Sequence, residues 1–356
     1  MSTQTAVDTP SNNDKRTAEN RAFDIMLTFV KTQCTYTAAR LGIFNILEEE
    51  GELSVESLAE KTNTNAHRLY FVLRGLAHID VLEEKPGSVF APTETSQLLV
   101  TNKGPSVGHL IMHLTEPAQW DAWKALPKAL EKGVVPFELA NGTGVYDYCY
   151  ENEWSKDTFI NAMSFLTNSQ VESLLDNYDF GQYETVMDVG GGQGGLIASI
   201  VNRYDCKGVL FDIPDVAETA KEYIQSMGTD LSRIEIKTGD VFKSVPTGAD
   251  AIVMKHFISA WSDEDAAKIL ANCRAALPEN GKLILLQTFV PDIDEPKTEA
   301  DGIMPGLFAV QINVATPGGG WRTKQQFQTL FENNGFKLEK VIRTENSLSG
   351  MEFSLK

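Results

Sequence analysis

Three aspartates each close a short apolar run: Asp188 in VMDVGGGQGGL, Asp212 in LFDIP and Asp240 in TGDVF. Carboxylates at successive strand ends accept hydrogen bonds and attract cations, and they repel a diphosphate. Gly190, Gly192 and Gly195 satisfy GxGxxG, which together with Asp212 at the end of the next strand suits a dinucleotide. Asp188, Gly190, Gly192 and Gly194 also satisfy DxGxGxG. An acid beside the glycines favours a ligand with a sulfonium and an amino group over one with a pyrophosphate. S-adenosylmethionine (SAM) is such a ligand. In that reading the glycines admit it without Cβ clashes. Asp212 accepts both ribose hydroxyls, Asp240 takes the adenine amino group, and Val241 and Phe242 flank the ring. Ordinary turn-forming aspartates are the plain alternative.

A second reactive stretch is MKHFISAWSDED, residues 254 to 265, which follows Ala251-Ile252-Val253 at a strand edge. The His256 imidazole can titrate near neutrality, as can that of His113 in LIMHLTEP. Either can take a proton, and either can equally be a packing or hydrogen-bonding histidine. Ser259 has no useful proton affinity without a base beside it. Trp261 reads as packing, and Ser262 as the N-cap of a helix with acids in its first turn. Two histidines without a carboxylate are too few ligands for a metal, and none is expected. Cys34, Cys149, Cys206 and Cys273 lie far apart with no CxxC, so neither zinc nor a disulfide framework is expected.

The elements that must hold these groups show in the patterning. Short runs at Thr185 to Val189, Gly208 to Phe211, Ile234 to Lys237, Ala251 to Met254 and Lys282 to Leu286 alternate with helical segments. That alternation predicts an α/β domain with a doubly wound, Rossmann-like parallel sheet. Residues 106 to 182 read as connecting helices rich in aromatics. Upstream, Ala22 to Leu47 has helical spacing at Ile25, Phe29, Ala38, Leu41 and Ile46, broken at Gly42, and so apolar a helix needs a cover. Ser54 can cap a short helix, Asn63 to Asn65 form a turn, His67 to His78 suit a second helix, and Val81 to Ala91 around Pro86-Gly87 read as a hairpin. Together these make a mostly α winged helix. Residues 1–18 are expected to be a disordered tail, 19–105 the winged-helix domain and 106–356 the SAM-binding domain.

Of the 356 residues, 22% are charged, and the net charge is −18. Such a chain repels nucleic acid and anionic lipid at long range, and the second helix carries only Arg68 and Arg74, so DNA is not expected as its partner. No apolar stretch reaches the roughly 18 residues of a membrane span. A cytoplasmic location is the expectation.

The motifs AARLGIFNIL, FINAMS, DVGGGQGG, LFDIPDV, GDVFKSVP, MKHFISAWSDED, TPGGGWRT and GMEFSLK together resemble the plant caffeic-acid-type O-methyltransferases and their bacterial relatives, over nearly the whole chain after the tail. The resemblance implies homodimerisation through the N-terminal domain and a pocket for a small aromatic or polyketide-like acceptor. It implies Gly190, Asp212, Asp240, Val241 and Lys255 around the cofactor, with Met163 near the methyl group. Phe159, Met163, His256 and the segment LFAVQINVATPGGGW, with Gln311, Asn313 and Trp321, are implied to line the acceptor pocket, and His113 falls at a substrate-facing position. The family's usual MKxxxHDW reads here with Ser259 and Ala260 in place of the His-Asp pair. Gln287 and Trp321 stand where two orienting carboxylates are expected.

Several accounts follow. The acceptor can need no protein base, being an amine, a carboxylate, an ionised phenol or an activated carbon, so that positioning drives the transfer and yields S-adenosylhomocysteine. The base can be His256 or His113. The fold can instead bind SAM for a reaction other than methylation, such as hydroxylation or a pericyclic rearrangement. A non-catalytic SAM-binding regulator would want a basic recognition helix, which is absent, and a nicotinamide dehydrogenase is disfavoured by Asp188 and GDVF.

Overall fold

The computed structural model describes residues 18–291, 303–318 and 321–356. The expected N-terminal tail thus lies, all but its last residue, outside the described residues. The chain divides into two units, Met1–Lys103 and Gly104–Lys356.

In the first unit the helix Ala18–Arg40 ends before Gly42, whose φ of 72° is left-handed, and Ile43–Glu50 follows. Ser54 Oγ accepts from the Ser57 amide at 3.3 Å and starts the helix Val55–Lys61. Asn65 Oδ1 does the same for Ala66–Ala77 through the Arg68 amide. A three-stranded antiparallel sheet closes the unit: β1 (Leu53–Ser54) and β2 (Leu82–Lys85) pair on either side of β3 (Val89–Pro92). Phe44, Leu58, Leu73 and Phe90 fill its core. On the first helix Phe23, Ile25, Met26, Leu27, Phe29 and Val30 stay exposed on all sides of its N-terminal half, whereas Ala38, on the same spacing as Ile25 and Phe29, is buried.

The second unit is built on a seven-stranded sheet in the order β6-β5-β4-β7-β8-β10-β9. Its strands are β4 (Thr185–Val189), β5 (Lys207–Asp212), β6 (Ile234–Thr238), β7 (Ala251–Lys255), β8 (Lys282–Gln287), β9 (Phe336–Ile342) and β10 (Ser349–Leu355). The sequence predicts a parallel sheet, and that is right for β4 to β8, but β10 runs antiparallel to both β8 and β9. Successive side chains alternate between two cores. Met187, Val189, Ile252, Met254, Leu283 and Leu285 pack on one side against the helices Asp263–Ala276 and Lys324–Asn333. Val186, Val253, Ile284 and Leu286 pack on the other against Gly195–Arg203, Pro214–Ser226 and the C-terminal half of Glu153–Asn177. Burial on both faces is why these strands read as continuous apolar runs.

Candidate active site

The chain leaves β4 towards β5 and β6, then returns beside β4 as β7, so the winding reverses between β4 and β7. Loops diverge there and open a crevice at the carboxyl ends of the strands. Asp188, the last residue but one of β4, lies level with Val253 of β7. Because side chains two apart share a face, Asp188 and Lys255 project to the same side of the sheet. Asp188 is 1% exposed and its Oδ1 has no hydrogen-bond partner. Burial first, then the charge of Asp212, raises its pKa to about 7, against the pull of Lys255. Burial lowers Lys255 to about 8, opposed by Asp188.

The glycine loop follows at once. Gly190 has φ 70°, and a Cβ on it would lie 2.3 Å from the Phe257 ring, whereas one on Gly192 (φ 60°) would meet nothing within 4 Å. The Gly192 amide donates to Asp212 Oδ2 at 2.8 Å and the Ile213 amide to Oδ1 at 2.7 Å, so the carboxylate ties the loop to the end of β5. Burial raises the pKa of Asp212, while these two amides work against that. Asp240 Oδ1 accepts from the Phe242 amide at 2.9 Å, and its Oδ2 lies 3.3 Å from Lys243 Nζ. The Phe242 ring meets Trp261 edge-on at 4.9 Å.

One face of the helix Glu153–Asn177 borders this crevice. Phe159, Met163 and Thr167 stay half-buried while Thr158, Ile160, Ala162 and Ser164 are buried. Four-residue spacing stacks the three on one stripe, about 6 Å apart along the axis. At its lower end Lys255 Nζ donates to Thr167 Oγ1 at 3.3 Å, and Ser164 Oγ to Gln193 Oε1 in the glycine loop at 2.7 Å. At its upper end Phe159 packs against His113 (5.1 Å), Tyr146 (6.1 Å) and Tyr150 (6.4 Å). The buried phenols of Tyr146 and Tyr150 are pushed up, Tyr146 to about 12, chiefly by burial and in part by the charge of Asp212. The stripe therefore runs from beside the glycine loop to a cluster of aromatic side chains, of which Tyr146 and Phe159 pack on the core around Phe137, Val145 and Cys149.

The β7 edge is differently furnished. His256 has φ 51°, a left-handed conformation uncommon for a residue with a side chain. Its ring stacks on Trp321 at 5.8 Å, and Trp321 stacks on Phe308 at 5.7 Å. Burial and then the Lys255 charge hold the imidazole well below its ordinary pKa, with the Gln287 amide pulling the other way. No hydrogen bond of ordinary geometry joins these two: His256 Nδ1 and Gln287 Oε1 are both buried without a partner. Ser259 is 2% exposed, and its Oγ reaches only the His256 carbonyl, at 3.4 Å. Ala260 is crossed by Gly318, whose amide donates to the Ala260 carbonyl at 3.0 Å.

The chain matches the O-methyltransferase domain over residues 123–337 and the O-methyltransferase dimerisation domain over residues 23–102. It belongs to the O-methyltransferase family. It is 32% identical to the phenazine O-methyltransferase PhzM of Lysobacter antibioticus, over 90% of this chain and 92% of that protein. It is 28% identical to the anthranilate N-methyltransferase of Ruta graveolens, over 91% and 90%. Among solved structures it superimposes on the mitomycin 7-O-methyltransferase MmcR with a TM-score of 0.87 at 27% identity, covering 95% of this chain and 98% of that one.

In this small-molecule methyltransferase the donor is SAM, and the crevice fits it. The orphaned Asp188 oxygen offers a buried carboxylate to a cationic group, and the glycine loop leaves Cβ space that side chains would fill. Two residues implied for the acceptor side, Gln311 and Asn313, sit on the helix Ile303–Ala315. Gln311, expected to address the acceptor, is engaged by protein: Trp123 Nε1 donates to its Oε1 and its Nε2 donates to Gln119 Oε1, both at 3.0 Å. Asn313 lies on the exposed side of the same helix, Ile303–Ala315. Sequence reasoning also missed Glu116. It stands three residues after His113, is 1% exposed, and places Oε1 3.7 Å from His113 Nδ1. The i, i+3 spacing in HLTE was a readable signal that His113 has a carboxylate within reach. Tyr146 and Tyr150 were not assigned to the acceptor side because aromatics at helical spacing look the same in a core as around a ligand. Among the described residues no helix is long and apolar enough to cross a membrane.

Proposed function

We propose that this methyltransferase transfers the methyl group of SAM to a flat small-molecule acceptor by proximity, with no proton acceptor at the β7 edge. The acceptor atom is then a nitrogen, an activated carbon or an anionic oxygen. The observation that carries this reading is the half-buried stripe Phe159, Met163 and Thr167, whose one end meets Lys255 and whose other meets the aromatic cluster of His113, Tyr146 and Tyr150, the proposed acceptor chamber. The bound sulfonium supplies an electrophilic methyl group.

The chain's own residues then have positional duties. Asp188 offers a carboxylate to the amino-acid part of SAM, with Lys255 tempering its charge. Asp212 fixes the loop and keeps lone pairs for the ribose, and Asp240, Val241 and Phe242 border the adenine. Gly190 and Gly192 keep side chains out of the loop. Phe159, Met163 and Trp321 hold the acceptor plane, while Ser259 and Ala260 take no proton. Gln287 and Trp321, neutral where acids are expected, keep the wall from repelling an anion. Well-oriented reactants gain several kcal/mol from positioning alone.

Incubation with methyl-labelled SAM and a panel of aromatic amines, phenols and carboxylates tests this. Label in an acceptor with matching S-adenosylhomocysteine supports it. Acceptor turnover without S-adenosylhomocysteine, or no labelled acceptor from any class, overturns it. The dimerisation-domain match and the exposed apolar side chains in the N-terminal half of Ala18–Arg40 support a homodimer through the N-terminal unit, which sedimentation equilibrium checks.

A further inference from the structure

Three ionisable side chains meet behind Phe159, outside the glycine loop and the β7 edge. His113, Glu116 and Cys149 are all buried, and their polar atoms lie within 4.8 Å of one another. His113 comes from the helix Val107–Thr115, Glu116 from the residue before the helix Pro117–Lys132, and Cys149 from Val145–Glu151. Glu116 Oε2 accepts a 2.5 Å hydrogen bond from Ser155 Oγ on the Phe159 helix. Its Oε1 and His113 Nδ1 face each other at 3.7 Å, and both are buried without a hydrogen-bond partner.

A carboxylate oxygen buried beside an unpaired ring nitrogen is costly unless a proton lies between them. A proton on Nδ1 satisfies both atoms after a shift of less than 1 Å, since an N–H···O bond closes at about 2.9 Å. That tautomer leaves Nε2 with its lone pair free. The arrangement is the logic of a base oriented by a carboxylate, and Ser155 in turn fixes the carboxylate.

We infer that His113, held by Glu116, takes the proton of a hydroxyl on the bound acceptor, so that the chamber itself generates the anionic oxygen. The O–H bond breaks, its electron pair stays on the acceptor oxygen, and the proton becomes an N–H on His113 Nε2. Glu116 Oε1 then faces the Nδ1–H of an imidazolium, whose charge it balances. The proton returns to solvent after the product leaves. This rests on the proposed methyl transfer and adds its substrate class: a hydroxylated aromatic ring lying against Phe159.

The groups facing the pair do not displace it from this role. Cys149 is pushed up to about 12 by burial and by Glu116, so it stays a neutral thiol at neutral pH. Tyr148 is also raised, by burial, by Glu116 and by Asp121 among others, and stays neutral. On the histidine's own helix, His109 is lowered by burial with Asp157 opposing, and Ser106 bonds its ring at 3.0 Å. Glu116 is thus the anion directly facing His113 among the described residues.

The test uses 4-nitrophenol, whose ionisation is visible by its colour, bound to the protein with S-adenosylhomocysteine. Bound probe should ionise at least tenfold more readily than free probe, His113→Gln should abolish that gain, and Glu116→Gln should reduce it. An equal gain in His113→Gln overturns the inference. Should either variant fail to fold, or the probe fail to bind, nitrogen NMR of the wild-type protein labelled at its histidines decides. His113 carrying its proton on Nδ1 supports the inference, and a proton fixed on Nε2 overturns it. Stoichiometric zinc in the purified protein also overturns it, because the trio would then be a metal site. Label transfer from SAM is scored separately, so a failed proton acceptor and a failed methyl transfer give different results.

Discussion

Asp188 and Lys255 stand on one face of adjacent parallel strands, the aspartate level with Val253 and the lysine two residues beyond it. No ion pair of ordinary length joins them, and the Asp188 carboxylate keeps an unpartnered oxygen. A buried charge left so is a binding site for a cation and a liability without one.

The sign of that liability can be measured. Burial raises Asp188 to about 7 from 3.8, so the folded state holds its proton more tightly than the unfolded state. The stability this contributes is full below about pH 4 and is lost as pH rises through about 7. Ligand-free Asp188→Asn protein should therefore be more stable than wild type at pH 8, by on the order of 1 to 4 kcal/mol. The same variant should bind SAM at least about tenfold more weakly, having lost a charge-assisted contact. Calorimetric melting across pH with isothermal titration checks both. Unchanged SAM affinity would remove Asp188 from the cofactor site.

Gly190 and Gly192 share a left-handed backbone but not their surroundings. Gly190→Ala places a Cβ 2.3 Å from a Phe257 ring carbon, whereas at Gly192 the space is open. Gly192→Ala should cost only the backbone term, about 1 kcal/mol. Gly190→Ala adds overpacking of about 1 to 3 kcal/mol. Melting temperatures of the two variants should separate accordingly, and Phe257→Ala should recover part of the second loss only. Equal losses at the two positions would mean that the ring moves freely.

Gln311 illustrates how an amide in an apolar helix can mislead. It bridges Trp123 and Gln119, which ties the helix Ile303–Ala315 to Pro117–Lys132. Gln311→Ala should cost about 1 to 3 kcal/mol by leaving buried partners unsatisfied. Acceptor KM should change little at temperatures where the variant is folded. A large rise in KM with unchanged melting would return Gln311 to the acceptor surface.

The strands β4 to β8 were legible because burial on both faces writes an apolar run that needs no partner to be recognised. β9 and β10 were not, since FKLEKVI exposes Lys337, Glu339 and Lys340 and SGMEFSL interrupts its buried residues with half-buried Glu352 and Ser354, in a sheet whose order no local pattern reveals. The acids Asp188, Asp212 and Asp240 were found because each lies at or just beyond the end of a short strand-like run, near a glycine for Asp188 and Asp240 and before Ile213-Pro214 for Asp212. Glu116 was missed although it stands only three residues after the histidine it faces. Its burial depends on Ser155 and Cys149 from two other helices, and that convergence is tertiary.

His256 gives the last test. Burial and the charge of Lys255 hold its imidazole well below 6.5, so it is neutral and a poor proton acceptor at neutral pH. His256→Gln should keep kcat within about threefold, whereas loss of a general base costs about a hundredfold or more. Stability adds an independent reading. A histidine lowered on folding takes up protons mainly in the unfolded state, so its contribution is present above 6.5 and is lost progressively as pH falls from there through the lower folded value. The variant should show a flatter loss of stability between about pH 7 and pH 5 than wild type. It should also lose the ring stacked on Trp321 at 5.8 Å, which lowers its melting temperature above about pH 7, where the histidine is neutral in both states. A hundredfold fall in kcat that vanishes at high pH would instead place the proton acceptor at the β7 edge and leave the His113–Glu116 pair a structural one.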